Sequence, residues 1–193
     1  MAPVANAVLA SQNAHKLEEL RGSLPGWELD PLAADDWPAE TGETYEENAR
    51  IKARFGRARA PADVWVLGED SGIESDALDG GPGLHSARWA PQGDQADALL
   101  ERLAGEQNRR ARMVTEIVAL APSGDEVHVR GVLEGELATE RRGNSGFGYD
   151  PIFIPDGYDR TVAELGDEWK RVHSHRARAA QALLDVLRNA GAS

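Results

Sequence analysis

Four short segments of this sequence combine residue types that bind phosphate, cations or flat rings. The first is Ser11-Gln12-Asn13-Ala14-His15-Lys16, where an apolar run gives way to a helical pattern. A helix N-terminus presents free N–H groups and the positive end of its dipole, which suit an anion. Ser11 and Asn13 can donate to a phosphate, and Lys16 supplies charge. The same residues also read as a capped helix with a solvated lysine. The second segment runs from Glu40 to Lys52. Asn48 and Lys52 are four apart and share a helical face. Glu40 lies in the loop ahead of the cap, and the alternative is a capping box with surface charges.

The third segment is Gly68-Glu69-Asp70-Ser71-Gly72, read as adjacent acids at the end of a buried strand. Buried acids need solvent, a partner or a cation. Mg2+ characteristically takes one or two carboxylates and completes its shell with water and substrate phosphates. An acidic turn closed by Ser71-Gly72 is the competing reading. The fourth is Gly143-Asn144-Ser145-Gly146-Phe147-Gly148-Tyr149-Asp150-Pro151, followed by Lys170 and Ser174-His175-Arg176. Glycines around Phe147 leave its ring accessible to a base, and Asp150 can accept from a ring N–H. Lys170, Arg171, Arg176 and Arg178 form a local basic patch without an acid. Read as a helix start, that patch is unfavourable, because cations oppose the dipole there. It therefore points to a nearby anion or acidic loop.

The elements that must position these residues follow from periodicity. Ala7 to Ser11 reads as a buried strand, and a helix follows to about Leu24 with Leu17, Leu20 and Leu24 on one stripe. Trp27 to Leu32 is a second strand. Thr44 with Glu47 predicts a capping box for a helix running to about Ala60. Val64 to Leu67 is the next strand, and Gly68 to Gly83, rich in Gly and Asp, contains turns. Asp94 caps a helix with Ala98, Leu99 and Leu103 inward. Met113 to Ala121 and Glu126 to Ala138 predict a long hairpin across Pro122-Ser123-Gly124. Pro151 to Ile154 is a short strand. The last helix runs from about Ser174 to Asn189, with Gly191 as its C-cap. Interleaved strands and helices with an antiparallel hairpin predict an α/β fold with a mixed sheet.

Composition narrows the classes. The chain has 193 residues, 41% hydrophobic and 28% charged, which is ordinary for a globular protein and excludes a disordered or fibrous chain. It has no cysteine, hence no disulfide, thiolate metal site or cysteine nucleophile, and this fits a reducing compartment. No apolar run reaches a membrane span, and the N-terminus carries no signal-peptide pattern. A net charge of -12 disfavours a broad nucleic-acid surface but leaves room for a small phosphate ligand bound by a local cation cluster.

Taken together, the segments resemble the inosine triphosphate pyrophosphatase family, also called Ham1-like. The resemblance rests on five blocks in order. They are Ala10-Ser11 through Asn13 to Lys16, Glu40-Thr41-Gly42 through Glu47-Asn48-Ala49 to Lys52-Ala53, and Glu69-Asp70-Ser71-Gly72-Ile73 through Ser86-Ala87-Arg88. Gly146-Phe147-Gly148-Tyr149-Asp150-Pro151 and Lys170 with Ser174-His175-Arg176 complete the set. The sequence departs from the family pattern at Glu69, where Asp is common, at Arg171, where Asn is common, and at His173, where an aliphatic is common.

The resemblance implies a single domain over 1–193: an elongated mixed sheet flanked by helices, with two lobes around a nucleotide-binding cleft. It implies Mg2+-dependent hydrolysis of ITP, dITP and XTP to the monophosphate and pyrophosphate by a cytoplasmic homodimer. Asp70 is then metal ligand and general base, Lys52 a second catalytic group, and Glu40 the other metal ligand. Ser11, Gln12, Asn13, Ala14, His15, Lys16 and Ser71 hold the triphosphate. Arg88, Phe147, Gly148, Tyr149, Asp150, Lys170, His175 and Arg176 meet the base. Two rivals stand beside this reading: a nucleotide sensor without chemistry, and a broader Maf-like pyrophosphatase. Intact Glu40, Lys52 and Asp70 argue against the first.

Overall fold

The computed structural model describes residues 5–91 and 93–190. The chain divides into two compact units, one made of Met1–Asp70, Thr115–Gly131 and Arg176–Ser193, the other of Ser71–Val114 and Val132–His175. Six strands form one open sheet: β1 (Ala5–Ala10), β2 (Trp27–Pro31), β3 (Trp65–Ser75), β4 (Arg110–Leu120), β5 (Glu126–Leu137) and β6 (Phe153–Pro155). Their order is β2-β1-β3-β4-β5-β6. β1 pairs in parallel with β2 and β3, while β6 pairs antiparallel with β5. This is the mixed α/β sheet that the periodicity predicts.

In the first unit the helices are α1 (Ala14–Ser23), α2 (Tyr45–Arg57) and α5 (His175–Ala190), the last apart from its first residue. The period of two along a strand sends alternate side chains to opposite faces. On β1 and β3, Ala7, Leu9 and Leu67 pack with Leu17 and Leu20 of α1 and with Ala179, Ala180 and Leu183 of α5. Ala10 and Val66 pack instead with Ala49 and Ala53 of α2. So α1 and α5 cover one face of this unit's strands and α2 covers the other. The C-cap expected at Gly191 lies outside the described residues.

The second unit contains α3 (Gln95–Arg102) and α4 (Val162–His173). Its core gathers Ile73, Leu99, Met113, Leu133, Tyr149, Ile152 and Phe153. β6 approaches β5 closely at Gly135, where a Cβ would stand 2.2 Å from the Ile154 carbonyl oxygen. Among the described residues, no helix is long and apolar enough to cross a membrane.

Two expectations are corrected here. The strand read as ending at Leu67 runs on through Gly68 to Ser75, an eleven-residue β3, and the turns of this stretch come after it. Glycine and acids normally weaken strands, but these positions are enclosed by helices and neighbouring strands, and tertiary packing overrides the propensity. The basic patch also divides between two helices: Arg176 and Arg178 stand at the start of α5, as read, but Lys170 and Arg171 do not. Lys170, Arg171 and His173 occupy the last turn of α4, whose presence the sequence reading did not anticipate. Cations are favourable at that end of a helix, so Lys170 and Arg171 are in place there, while Arg176, at the unfavourable end of α5, meets the nearby acids that the reading called for, Glu69 and Glu19. A capping box of Thr161 and Glu164 starts α4, and Gly166 at φ 85° kinks it.

Candidate active site

The first unit builds its site around Asp70. One Asp70 oxygen, Oδ1, lies 2.8 Å from Lys52 Nζ, and the other, Oδ2, accepts from Asn48 Nδ2 at 3.3 Å. Lys52 Nζ also donates to Glu40 Oε1 at 2.9 Å. Both donors come from one face of α2, as their spacing predicts. The helix can come this close because β3 has Gly68 beneath it. A Cβ there would be 2.0 Å from the Ala49 carbonyl oxygen and 2.5 Å from the Ala53 nitrogen.

Asp70 and Lys52 are both buried. Burial pushes the Asp70 carboxyl up, and the opposing pull of Lys52 does not bring it back to the ordinary range. Burial would lower the Lys52 ammonium, but Asp70, Glu69 and Glu40 together hold it above its usual value. A carboxylate that is more basic than usual beside a permanently charged lysine suits proton acceptance from water.

Glu69, one residue earlier, serves a different set of groups. It is fully buried, with Lys16 Nζ 2.7 Å from Oε2 and Arg176 Nε 3.1 Å from Oε1. Burial raises its proton affinity, yet Lys16 and Arg176 outweigh this and hold the carboxyl far below the carboxylate range. Arg176 also pairs with Glu19 through its other side. At the start of α1, Asn13 caps the helix through Oδ1, accepting from the nitrogens of His15 and Lys16. Ser11 Oγ accepts from the Asn13 nitrogen at 3.2 Å. Gln12, Ala14 and His15 are exposed.

The second unit builds a separate cluster from the glycine-rich loop and α4. Asp150 Oδ2 accepts from the Phe147 nitrogen at 2.8 Å and from Lys170 Nζ. The Lys170 ammonium also stands 4.5 Å from the centroid of the half-buried Phe147 ring. Gly146 adopts φ 76°, and a Cβ on it would fall 2.1 Å from Asp150 Oδ2. That glycine is required twice, by its backbone angle and by the carboxylate folded over it. Gly148, at φ 61°, has open space around it. The Tyr149 side chain belongs to the core: its ring is buried, and its hydroxyl donates to the Ser86 carbonyl at 2.8 Å. Its main chain stays available to meet a base. Arg88 is exposed at the end of a 3-10 turn, Gly83–Arg88, and Ser71 is half-buried on β3. His175 is buried at the first position of α5.

The two units thus carry two chemistries, cations and carboxylates in one, an aromatic ring with a lysine–aspartate pair in the other. A model of the Ham1 family matches residues 7–186. The chain belongs to the Ham1 family. The matched span contains every site residue from Ser11 to Arg176. Relatives include a dITP/XTP pyrophosphatase of Symbiobacterium thermophilum, 49% identical over 188 residues and covering 93% of either chain. A dITP/XTP pyrophosphatase of Deinococcus deserti is 44% identical, covering 91% of this chain and 86% of that one. The Ham1 protein structure of Staphylococcus aureus superposes with a TM-score of 0.82 at 34% identity, covering 95% of this chain and 98% of that one.

In this Ham1 chain, the structure brings together Glu40, Lys52 and Asp70 in one cluster and Phe147, Asp150 and Lys170 in another, all six named from the sequence. Sequence reasoning left Asn48 without a role, although the spacing to Lys52 was the available signal. It missed Glu19 as the partner of Arg176; a half-buried acid on α1 carries no local pattern to reveal that. Arg176 was expected at the edge of a base. Its donors to Glu69 and Glu19 belong to the ion network of the first unit.

Proposed function

We propose that this chain hydrolyses non-standard purine nucleoside triphosphates, dITP, ITP and XTP, to the monophosphate and pyrophosphate. The observation that carries the reading is the convergence of Glu40 and Asp70 on one ammonium, Lys52 Nζ, at 2.9 and 2.8 Å. Two carboxylates that reach the same point can share a small hard cation. Among the described residues there is no cluster of three or more His, Cys, Asp or Glu side chains able to cage a metal. The Glu40 and Asp70 pair as a donor set fits Mg2+, which binds through one or two carboxylates and leaves the rest of its shell to phosphate and water.

Glu40 and Asp70 are the residues that would hold Mg2+, and the ion would neutralise charge on the triphosphate. Asp70 takes the proton of the attacking water, helped by the burial that makes it more basic. Lys52 offsets phosphate charge and keeps the two carboxylates together. Ser11 to Lys16 and Ser71 bind the phosphates: the start of α1 supplies N–H groups and Lys16 a cation. Phe147 stacks on the base, and Gly148, the Tyr149 main chain, Asp150, Lys170, Arg88, His175 and Arg176 meet its edges. Such chemistry is mostly positioning and charge neutralisation. Relatives named dITP/XTP pyrophosphatase support the substrate class. A cytoplasmic homodimer that does not bind a membrane belongs to the same reading, and the net charge of -12 disfavours a nucleic-acid partner.

The test is a panel of nucleoside triphosphates with Mg2+ or EDTA, scoring pyrophosphate against orthophosphate. Pyrophosphate release from dITP and XTP with Mg2+, its loss in EDTA, and weak release from ATP are expected. Orthophosphate as the product, or equal rates on ATP, would overturn the reading.

A further inference from the structure

The side chain of Asn48 is buried on the first turn of α2 and makes two directed hydrogen bonds. Its Oδ1 accepts from the Gly42 nitrogen at 2.8 Å, and its Nδ2 donates to Asp70 Oδ2 at 3.3 Å. The orientation of the amide is dictated by its partners. A backbone N–H can only donate and an ionised carboxylate can only accept, so a flipped amide would lose both bonds. One residue therefore ties the loop that bears Glu40 to the strand that bears Asp70.

Three features make this tie tight. The loop lies directly on the amide: a Cβ on Gly42 would be 2.8 Å from Asn48 Oδ1 and 2.7 Å from Glu47 Cβ. The Glu43 nitrogen donates to Glu47 Oε2 at 2.6 Å, which fastens the next residue of the loop to the same helix turn. Beneath, Gly68 lets α2 press onto β3, which sets the distance from Asn48 to Asp70. Lys52, one turn on, takes Asp70 Oδ1 and Glu40 Oε1. The two oxygens of Asp70 are thus assigned separately, Oδ1 to a cation and Oδ2 to a neutral amide.

We propose that Asn48 is a positioning residue that holds the Glu40 loop and the Asp70 carboxylate in a single arrangement able to receive a divalent cation. This rests on the reading of Glu40 and Asp70 as the cation ligands. Lys52 supplies charge, but an ammonium has three equivalent donors and fixes no single orientation of the carboxylates it meets. The planar amide does, because its donor and acceptor point in fixed and different directions.

The experiment measures Mn2+ affinity without nucleotide, from the free-ion signal in electron paramagnetic resonance. Thermal melting and steady-state kinetics on dITP with Mg2+ are recorded beside it. Asn48→Ala removes both bonds, and Asn48→Ser is the milder variant should the first not fold. Thr44→Ala removes the side-chain cap of the same helix, where Thr44 Oγ1 accepts from the Glu47 nitrogen at 3.1 Å, and serves as the control for a loosened helix start. At a temperature where all are folded, Asn48→Ala is expected to weaken Mn2+ binding about tenfold or more and to lower kcat about 10- to 100-fold. KM for dITP stays within threefold, because the residues assigned to the base are untouched. Thr44→Ala keeps wild-type Mn2+ affinity and kcat despite a lower melting temperature. The proposal falls if Asn48→Ala and Asn48→Ser bind Mn2+ within twofold of wild type, or if Thr44→Ala weakens it equally. If the wild-type chain itself binds no Mn2+ and releases no pyrophosphate, the reading of the site fails instead.

Discussion

Glu69 and Asp70 are consecutive on β3, yet their carboxylates belong to opposite faces of the strand and to different cations. Asp70 meets Lys52 and Asn48 of α2, and Glu69 meets Lys16 of α1 and Arg176 of α5. Their proton affinities move in opposite directions as a result: burial raises Asp70, whereas Lys16 and Arg176 overcome burial and lower Glu69. Two like groups with separated affinities suit different tasks, the raised one proton acceptance and the lowered one a standing negative charge.

That division predicts different responses to neutralisation. Glu69→Gln leaves Lys16 and Arg176 without their buried counter-ion and is expected to cost about 3–5 kcal/mol at pH 7. Asp70→Asn costs far less stability, because its ionised form is disfavoured by burial and Lys52 keeps Glu40. It loses turnover by orders of magnitude while nucleotide binding stays within about tenfold. The pH dependence has a defined sign. A lowered folded pKa means the Glu69 contribution is complete above its ordinary value of 4.5 and is lost as pH falls toward the folded value. A raised pKa reverses the sign for Asp70, whose ionisation works against the fold as pH rises. Urea melts of both variants between pH 3 and 7, with turnover and binding assays, check this; equal stability losses would contradict it.

Gly68→Ala places a methyl group 2.0 Å from the Ala49 carbonyl oxygen, a backbone atom that cannot swing aside. The helix must shift outward, carrying Asn48 and Lys52 from Asp70. The expected cost is about 1–3 kcal/mol of stability, with turnover falling by more than that destabilisation alone explains. Melting curves and kcat measured well below the transition separate the two.

For the aromatic platform, Phe147→Ala is expected mainly to raise KM for dITP, by about 1–3 kcal/mol of lost stacking. Gly146→Ala acts through Asp150, since the new Cβ would meet Oδ2 at 2.1 Å. It displaces the carboxylate from Lys170 and raises KM while leaving kcat within a few-fold. Unchanged KM in both variants would show that this loop only packs against the core.

Arg176 is asked to do two things. Its removal leaves Glu69 and Glu19 short of a cation, so Arg176→Ala is expected to lower stability by about 3–5 kcal/mol. If it also meets the C6 oxygen of the base, the ratio of kcat/KM for ITP over ATP narrows as well. An arginine is a donor only, and it favours a keto oxygen over an amino group. Lost stability with an unchanged ratio would reduce Arg176 to the counter-ion of Glu69.

Much of this protein was legible locally. Periodicity placed β1, α1, α2 and α5, and the Thr44–Glu47 pair marked the start of α2, because caps and amphipathic stripes depend on residues a few positions apart. The i, i+4 spacing of Asn48 and Lys52 likewise put them on one face before any fold was known. Tertiary structure decided the rest. The strand read as stopping at Leu67, where Gly and Asp become frequent, runs on to Ser75, with Glu69 and Asp70 buried under the packed helices. The acids within that run read as one acidic pair, and the strand's period of two sends them to different helices. α4 was hidden by Gly166, and without it Lys170 looked like a helix start; its true place, in the last turn, is what lets it reach Asp150. The pairing of Arg176 with Glu19 and Glu69 joins residues more than a hundred positions apart. No local pattern carries such a contact, since it exists only once α1, β3 and α5 have packed together.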